Sequence, residues 1–199
     1  MSEARSRLLA TASRLFYSEG LHSVGIDRIV SEASVTRATL YRHFPSKDEL
    51  VVAYLSEADR VIRTQVEAAR TTDLAPDDAV RAVARSIADG IRSSGFRGCA
   101  FLNAAAEYPD PDHPAHQAVV GHRQWFLRTV TELVAQTGCA EPEPAARHFV
   151  MLRDGAMAAG CLSDPDPVCE TFLLGVDDLL AHRNTPGATR SAKASRRTS

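Results

Sequence analysis

At 199 residues the chain can hold one large domain or two small ones, and it can bury a proper core. Its 44% hydrophobic and 24% charged residues are ordinary for a soluble globular protein. No apolar run is long enough to span a bilayer and the first residues lack the apolar stretch of a signal peptide, so a cytoplasmic protein with no membrane partner is expected. A net charge of −2 does not mark a nucleic-acid binder, but whole-chain charge is a poor guide where binding is confined to one face, and its distribution matters more. Between residues 28 and 47 stand Arg28, Arg37, Arg42 and Lys47 against Glu32 alone, while acidic residues gather at 73–78 and 107–112.

The chain opens with a predicted helix from Ser2 to about Ser18, whose Leu8, Leu9, Ala12, Leu15 and Phe16 recur at helical spacing, and Gly20 ends it. Arg5 and Arg7 near its start would add electrostatic attraction for a polyanion. Two short segments follow. The first carries Ile26, Ile29 and Val30, the second runs from Thr36 to Phe44, and Ala33, Ser34 and Val35 lie between them. Apolar side chains at Ile26, Ile29, Val30, Val35, Leu40 and Phe44 fit two helices crossing over a shared core, the spacing of a helix-turn-helix. The outer face of the second helix would present Thr36, Arg37, Ala38, Thr39, Tyr41, Arg42 and His43. Hydroxyl, guanidinium and imidazole groups there suit phosphate oxygens and base edges.

The run from Ala38 to Leu50, with Thr39, Leu40, Tyr41, His43, Phe44, Ser46, Lys47 and Glu49, resembles the most recognisable stretch of the TetR family of bacterial transcriptional regulators. The likeness reaches back through Leu15 to Gly20 and covers about the first fifty-five residues. Gly25 stands where that family usually has Ser or Thr, Val30 where it has Ala, and Ser34 where the turn usually has Gly. Gly25 remains a tolerable helix cap, and Ser34 must adopt a turn conformation that Gly takes more easily. The resemblance implies an all-α protein with an N-terminal DNA-binding domain, a helical effector-binding and dimerisation domain, and no catalytic residue. It also implies action as a homodimer on double-stranded operator DNA, with Gly25, Arg28 and Lys47 among the DNA-binding residues although Gly25 lacks the hydroxyl that could reach phosphate, and most commonly as a repressor released by a small molecule.

Pro45-Ser46-Lys47-Asp48-Glu49 reads as a helix start, Ser46 capping and Asp48 favouring the positive end of the dipole. Lys47 opposes that dipole, so a phosphate contact explains it better than helix stability. The apolar period then continues to Arg70, a helix of about 24 residues and roughly 35 Å, long enough to leave the DNA-binding unit. Pro76 starts another helix, with Val80, Val83, Ile87 and Ile91 inward. A short helix is expected within Phe96–Tyr108. After a Pro-rich break, a long one carries Val119, Arg123, Phe126, Val130, Leu133 and Val134. Two final helices are expected from Pro144 to about Leu162 and from Val168 to His182. Their apolar stripes hold Phe149, Leu152, Ala156 and Ala159, then Phe172, Val176 and Leu179, and Gly155 and Gly160 permit close approach. The resemblance assigns that pair to the dimer interface, with packing inside one subunit as the competing reading. No segment alternates as a strand. The expected division is residues 1–48 for DNA binding, 49–183 for effector and dimer, and 184–199 as a disordered basic tail.

Chemistry is sparse elsewhere. His113 and His116 with Asp110, Asp112 and the more distant His122 have ligand-like spacing, yet prolines punctuate the segment, and neither a metal nor a cofactor is expected. Cys99, Cys139, Cys161 and Cys169 are scattered without a CxxC pair and read as small hydrophobes rather than a redox pair. Phe101, Asn103, His122, Trp125 and Phe126 combine aromatic surface with a few polar groups, as a pocket for a largely apolar effector would. The alternative to a regulator is an all-α small-molecule- or metal-binding protein, or an enzyme without a recognisable motif, that does not bind DNA.

Overall fold

The computed structural model describes residues 2–71 and 73–182, so the expected basic tail lies outside the described residues. Among them are nine helices and no strand. The N-terminal unit is built from α1 (Glu3–Glu19), α2 (Ile26–Glu32) and α3 (Arg37–His43). Ser2 caps α1 by accepting the Arg5 N–H, and Gly20 closes it at φ +98°. A side chain at Gly20 would be strained by that φ, and its Cβ would stand 3.4 Å from Glu107 Oε1. Gly25 and Thr36 occupy the N-cap positions of α2 and α3, and Thr36 Oγ1 accepts the Thr39 N–H at 3.1 Å. Ser34 sits at φ +51°, as the turn between the two helices demands. Leu8, Leu15, Ile29, Leu40 and Phe44 are buried where these helices cross.

The long helix α4 (Lys47–Thr71) starts as its sequence dictates, Ser46 Oγ accepting the Glu49 N–H at 3.1 Å. The remaining helices are α5 (Pro76–Arg92), α6 (Ala100–Glu107), α7 (Pro114–Gln136), α8 (Pro142–Ala159) and α9 (Pro165–Ala181). Proline opens α5, α7, α8 and α9, where its missing N–H costs nothing. The short helix within 96–108 begins only at Ala100. Gly98 at φ +85° breaks the chain before it, a conformation the apolar run Phe96–Leu102 does not advertise.

Two cores result. The first joins α1–α3 to Leu50, Val51, Tyr54 and Leu55 of α4, but also to Phe101, Ala104 and Tyr108 of the α6 segment and Ala115 and Val119 of α7. Packing therefore does not stop at residue 48. The second core gathers Val66 with α5, the later part of α7, α8 and α9. On α7 the inward position is His122, at 3% exposure, rather than the expected Arg123, which is partly exposed and paired with Asp154 at 2.7 Å. Phe149, Phe172, Val176 and Leu179, expected at a partner, are instead buried in this chain's own core. Gly160 likewise belongs to an internal contact, since a Cβ there would meet Ile91 Cγ2 at 2.6 Å. What α8 and α9 leave outside is Met151, 73% exposed, and Leu174, 65% exposed, with nothing within 4 Å of a Cβ built on Gly155.

Candidate DNA-binding face and effector cavity

Thr36, Arg37, Ala38, Tyr41 and Arg42 line the exposed side of α3, with Thr39 and His43 half-buried beside them. Their electrostatics differ. Arg37 is paired with Asp27, and this contact holds its guanidinium above the usual range. Arg28 binds Glu32 and Glu19, and Glu32 is also held by Arg14. Arg42 makes no ion pair among the described residues. His43 Nε2 meets Ser2 Oγ at 3.3 Å, and Arg5 lies 4.8 Å over the Phe44 ring, so the start of α1 sits against the end of α3. Lys47 is half-buried and donates to the His22 carbonyl at 3.3 Å; burial lowers its pKa.

The DNA-binding unit is fastened to α6 at both ends. The Tyr17 hydroxyl donates to the Gly98 carbonyl at 3.0 Å and accepts the Arg97 N–H at 2.9 Å. At the other end the Glu107 carboxylate accepts the Leu21 N–H at 2.8 Å and the His22 N–H at 2.6 Å, and the His22 ring meets the Glu107 carbonyl at 2.7 Å. Tyr108 stacks on His22 and His113, and His113 approaches Asp48. Glu107 and Tyr17 are separated from their partners by eighty residues or more, and nothing in the linear sequence signals either contact.

Behind α1, a cavity of about 380 Å³ lies among α4, α5, the α6 start and α8. Its walls include Ala58, Val61, Ile62, Phe96 and Met157, with Ser13 and Tyr17 of α1 at one side and Arg153 at another. A second cavity of about 740 Å³ shares Ile62, Gly90, Ser93, Arg153 and Met157 with it and adds Phe126. Of the five expected pocket residues, Phe126 alone lines this pair of cavities. Phe101 stacks on His122 at 3.6 Å, His122 Nδ1 meets Asp59 Oδ1 at 2.7 Å, and Trp125 carries Arg63 over its ring at 4.1 Å. These three form a packed polar-aromatic layer beside the cavities. Asn103 donates to the Arg97 carbonyl and faces a different, outer cleft. Arg153 was the missed residue. Its one signal is a charge at a core position, in helical register with Phe149 and Ala156.

The His-rich segment is used for structure. His113 caps α7 by accepting the Ala115 N–H, His116 meets the Tyr108 carbonyl, and no group of three or more potential metal ligands converges among the described residues. All four cysteines are free, Cys99 and Cys169 buried and Cys161 exposed. No helix among the described residues is long and apolar enough to cross a membrane.

An exposed second helix of a helix-turn-helix, backed by one core with a helical ligand-sized cavity behind it, defines a DNA-binding transcriptional regulator. The comparisons agree. The family model described as bacterial regulatory proteins, tetR family, matches residues 8–54. A crystal structure of a TetR-family transcriptional regulator from Streptomyces coelicolor is 70% identical, with a TM-score of 0.89 over 91% of this chain and 96% of that one. The HTH-type transcriptional regulator LmrA of Bacillus subtilis is 25% identical over 142 residues, 70% of this chain and 75% of that protein. The HTH-type transcriptional activator FasR of Mycolicibacterium smegmatis is 41% identical over 71 residues, 35% of this chain and 32% of that protein. The chain belongs to the TetR family of bacterial transcriptional regulators.

Proposed function

We propose that this regulator is a repressor that binds a pseudo-palindromic operator as a homodimer and is released by a small, largely apolar effector. The observation that carries the reading is the cavity pair at Arg153, whose wall is shared by α1 of the DNA-binding unit and by α4, α5 and α8 behind it. An occupant there touches both the reading head and its support. In this reading residues 1–48 engage DNA and residues 49–183 bind effector and partner.

Arg42, without an ion pair among the described residues, is the principal base reader, and Thr36, Ala38, Thr39, Tyr41 and His43 complete the groove-facing surface. Arg37 and Arg28 reach DNA by exchanging exposed carboxylate partners for phosphate, a trade that sacrifices at most about 1 kcal/mol per pair. Gly25 and Lys47 lie toward the backbone. One short recognition helix reads few base pairs, so two copies about 34–36 Å apart supply the specificity. The partner surface is the outer groove of α8 and α9, with Met151, Leu152, Gly155, Ala159 and Leu174, the apolar surface this pair leaves at least partly uncovered. Because α6 is bolted to α1 at Tyr17 and Glu107, an effector that shifts α6 or α4 turns the whole DNA-binding unit and alters the spacing of the two recognition helices. A duplex from upstream of the chain's own reading frame tests the reading. Footprinting should show a protected two-fold site, and transcription from it should rise when the protein is removed. Transcription that falls instead makes the protein an activator.

A further inference from the structure

The cavity contains a buried cation that the fold does not neutralise. Arg153 is 3% exposed. Its Nη1 donates to Asp154 at 2.8 Å and its Nη2 to the Cys99 sulfur at 3.3 Å, while the guanidinium stands 5.2 Å from the Phe126 ring centre. Its Nε has no partner. Asp154 is shared, because Arg123 donates to its other oxygen at 2.7 Å. Nearby, Asp59 is taken by Arg63 and by His122, whose pKa burial lowers, so that ring is neutral near pH 7. Three guanidiniums (Arg63, Arg123, Arg153) thus face two carboxylates (Asp59, Asp154), leaving one positive charge in excess. Arg63 and Arg123 keep 43% and 37% of their side chains in water, but Arg153 keeps 4%. The excess therefore falls on the one arginine that solvent cannot compensate, and an unpaired buried charge is expensive.

Two further features lie in the wall of the same cavity. Ser13 Oγ is buried without a hydrogen-bond partner. The first turn of α6, entered through Cys99 and Ala100 in the cavity wall, has no side chain capping its amides. A guanidinium with an unused N–H, an unused hydroxyl and an uncapped helix start are the groups that receive a carboxylate. The rest of the lining is mostly apolar, with Tyr17, Tyr54 and Ser93 adding hydroxyls, and its one carboxylate, Glu57, is already held by Arg60 at 2.6 Å.

We propose that the effector is a monoanion with an apolar body, a medium-chain or aryl monocarboxylate whose carboxylate rests on Arg153, Ser13 and the α6 start. This rests on the reading of the cavity as the effector site. A second carboxylate would find no second cation in the lining of this cavity, so a monoanion is preferred over a dianion. The neutral alcohol of the same body leaves the Arg153 charge unmet.

The test is calorimetric titration of the full chain with decanoate and 2-naphthoate, each against its alcohol, decan-1-ol and 2-naphthalenemethanol. Wild type should bind each carboxylate about tenfold or more tightly than its alcohol. Arg153→Met should remove that preference, with alcohol affinity kept within about threefold. Should Arg153→Met fail to fold, Arg153→Lys carries the test: it keeps the charge but loses the forked donors, and the preference must shrink. Ser13→Ala should weaken only the carboxylates. Equal wild-type binding of acid and alcohol, a preference untouched in a folded Arg153 variant, or no binding by any of the four probes overturns the proposal. Operator gel shifts with the same probes separate it from the repressor reading. Carboxylates that bind through Arg153 without releasing DNA support the anion site and refute induction. Alcohols that release DNA as well as the acids do refute the anion site and leave induction standing.

Discussion

Glu107→Ala removes the fastening between α6 and the turn after α1, and its cost can be worked from the contacts. The carboxylate accepts two backbone N–H groups, at 2.8 and 2.6 Å. Hydrogen bonds to a charged group contribute about 1.5–3 kcal/mol each, and solvent access at the exposed His22 favours the lower end. The expected loss is about 3–4 kcal/mol, against a total stability of about 5–15 kcal/mol for a domain, so the variant still folds. Glu107→Gln keeps an acceptor but loses the charge, and should fall about midway. Urea unfolding of wild type and both variants measures the loss. The functional consequence is sharper. With α6 released from Leu21 and His22, an effector can move α6 without turning α1–α3. The effector-induced drop in operator affinity, expected at about five- to 150-fold in wild type, should then shrink towards unity. An Ala variant within about 0.5 kcal/mol of wild type, with its effector response intact, would show that Glu107 merely decorates the turn.

Four other outcomes follow from the same geometry. Arg42→Ala should relax preference at particular base pairs by about 1–3 kcal/mol, read by competition between operator variants; Lys47→Ala should weaken all sequences and lower the salt slope by about one, unless its bond to the His22 carbonyl keeps it from phosphate. Leu174→Glu or Met151→Glu should give monomers in sedimentation that bind the operator poorly, whereas Val176→Glu should unfold the chain because Val176 is 1% exposed within it. Burial depresses the His122 pKa, so the unfolded state takes up the proton first. Stability from this group is complete above the ordinary imidazole value of about 6.5 and is lost as pH falls from there through the depressed folded value. His122→Asn should flatten the melting temperature over that window, and an unchanged pH profile would mean the ring is not buried neutral.

The helix-turn-helix was legible because its information is local. The cap at Ser46 and the apolar spacing from Ile26 to Phe44 sit within a few residues of what they control, whereas the caps at Ser2 and Thr36 emerged only with the structure. The α6 start was misplaced because Phe96–Leu102 reads as an apolar helix, while Gly98 at φ +85° shows only in the backbone. On α7 an error of one residue exchanged Arg123 for His122, since a buried His with an Asp partner looks polar in sequence. The stripes of α8 and α9 were correctly seen as apolar, but periodicity does not tell a chain's own core from a partner's surface. Phe149, Phe172, Val176 and Leu179 are buried in the chain's own core, and Met151 and Leu174 are exposed. The cavity at Arg153 was least legible. Its walls come from α1, α4, α5, α6 and α8, and its distinguishing residue, Arg153, hides as one charge in an apolar register.

The central claim is that the exposed face of α3 reads a specific operator. Fluorescence anisotropy of a labelled duplex carrying the footprinted site, against a scrambled duplex of equal length and at fixed salt, tests it most directly. A specific regulator should prefer its site by about a thousandfold or more. Arg42→Ala should cut that ratio about tenfold or more while leaving binding to the scrambled duplex nearly unchanged. Wild-type protein that binds both duplexes alike, or a folded Arg42→Ala protein with the full preference, would contradict the account.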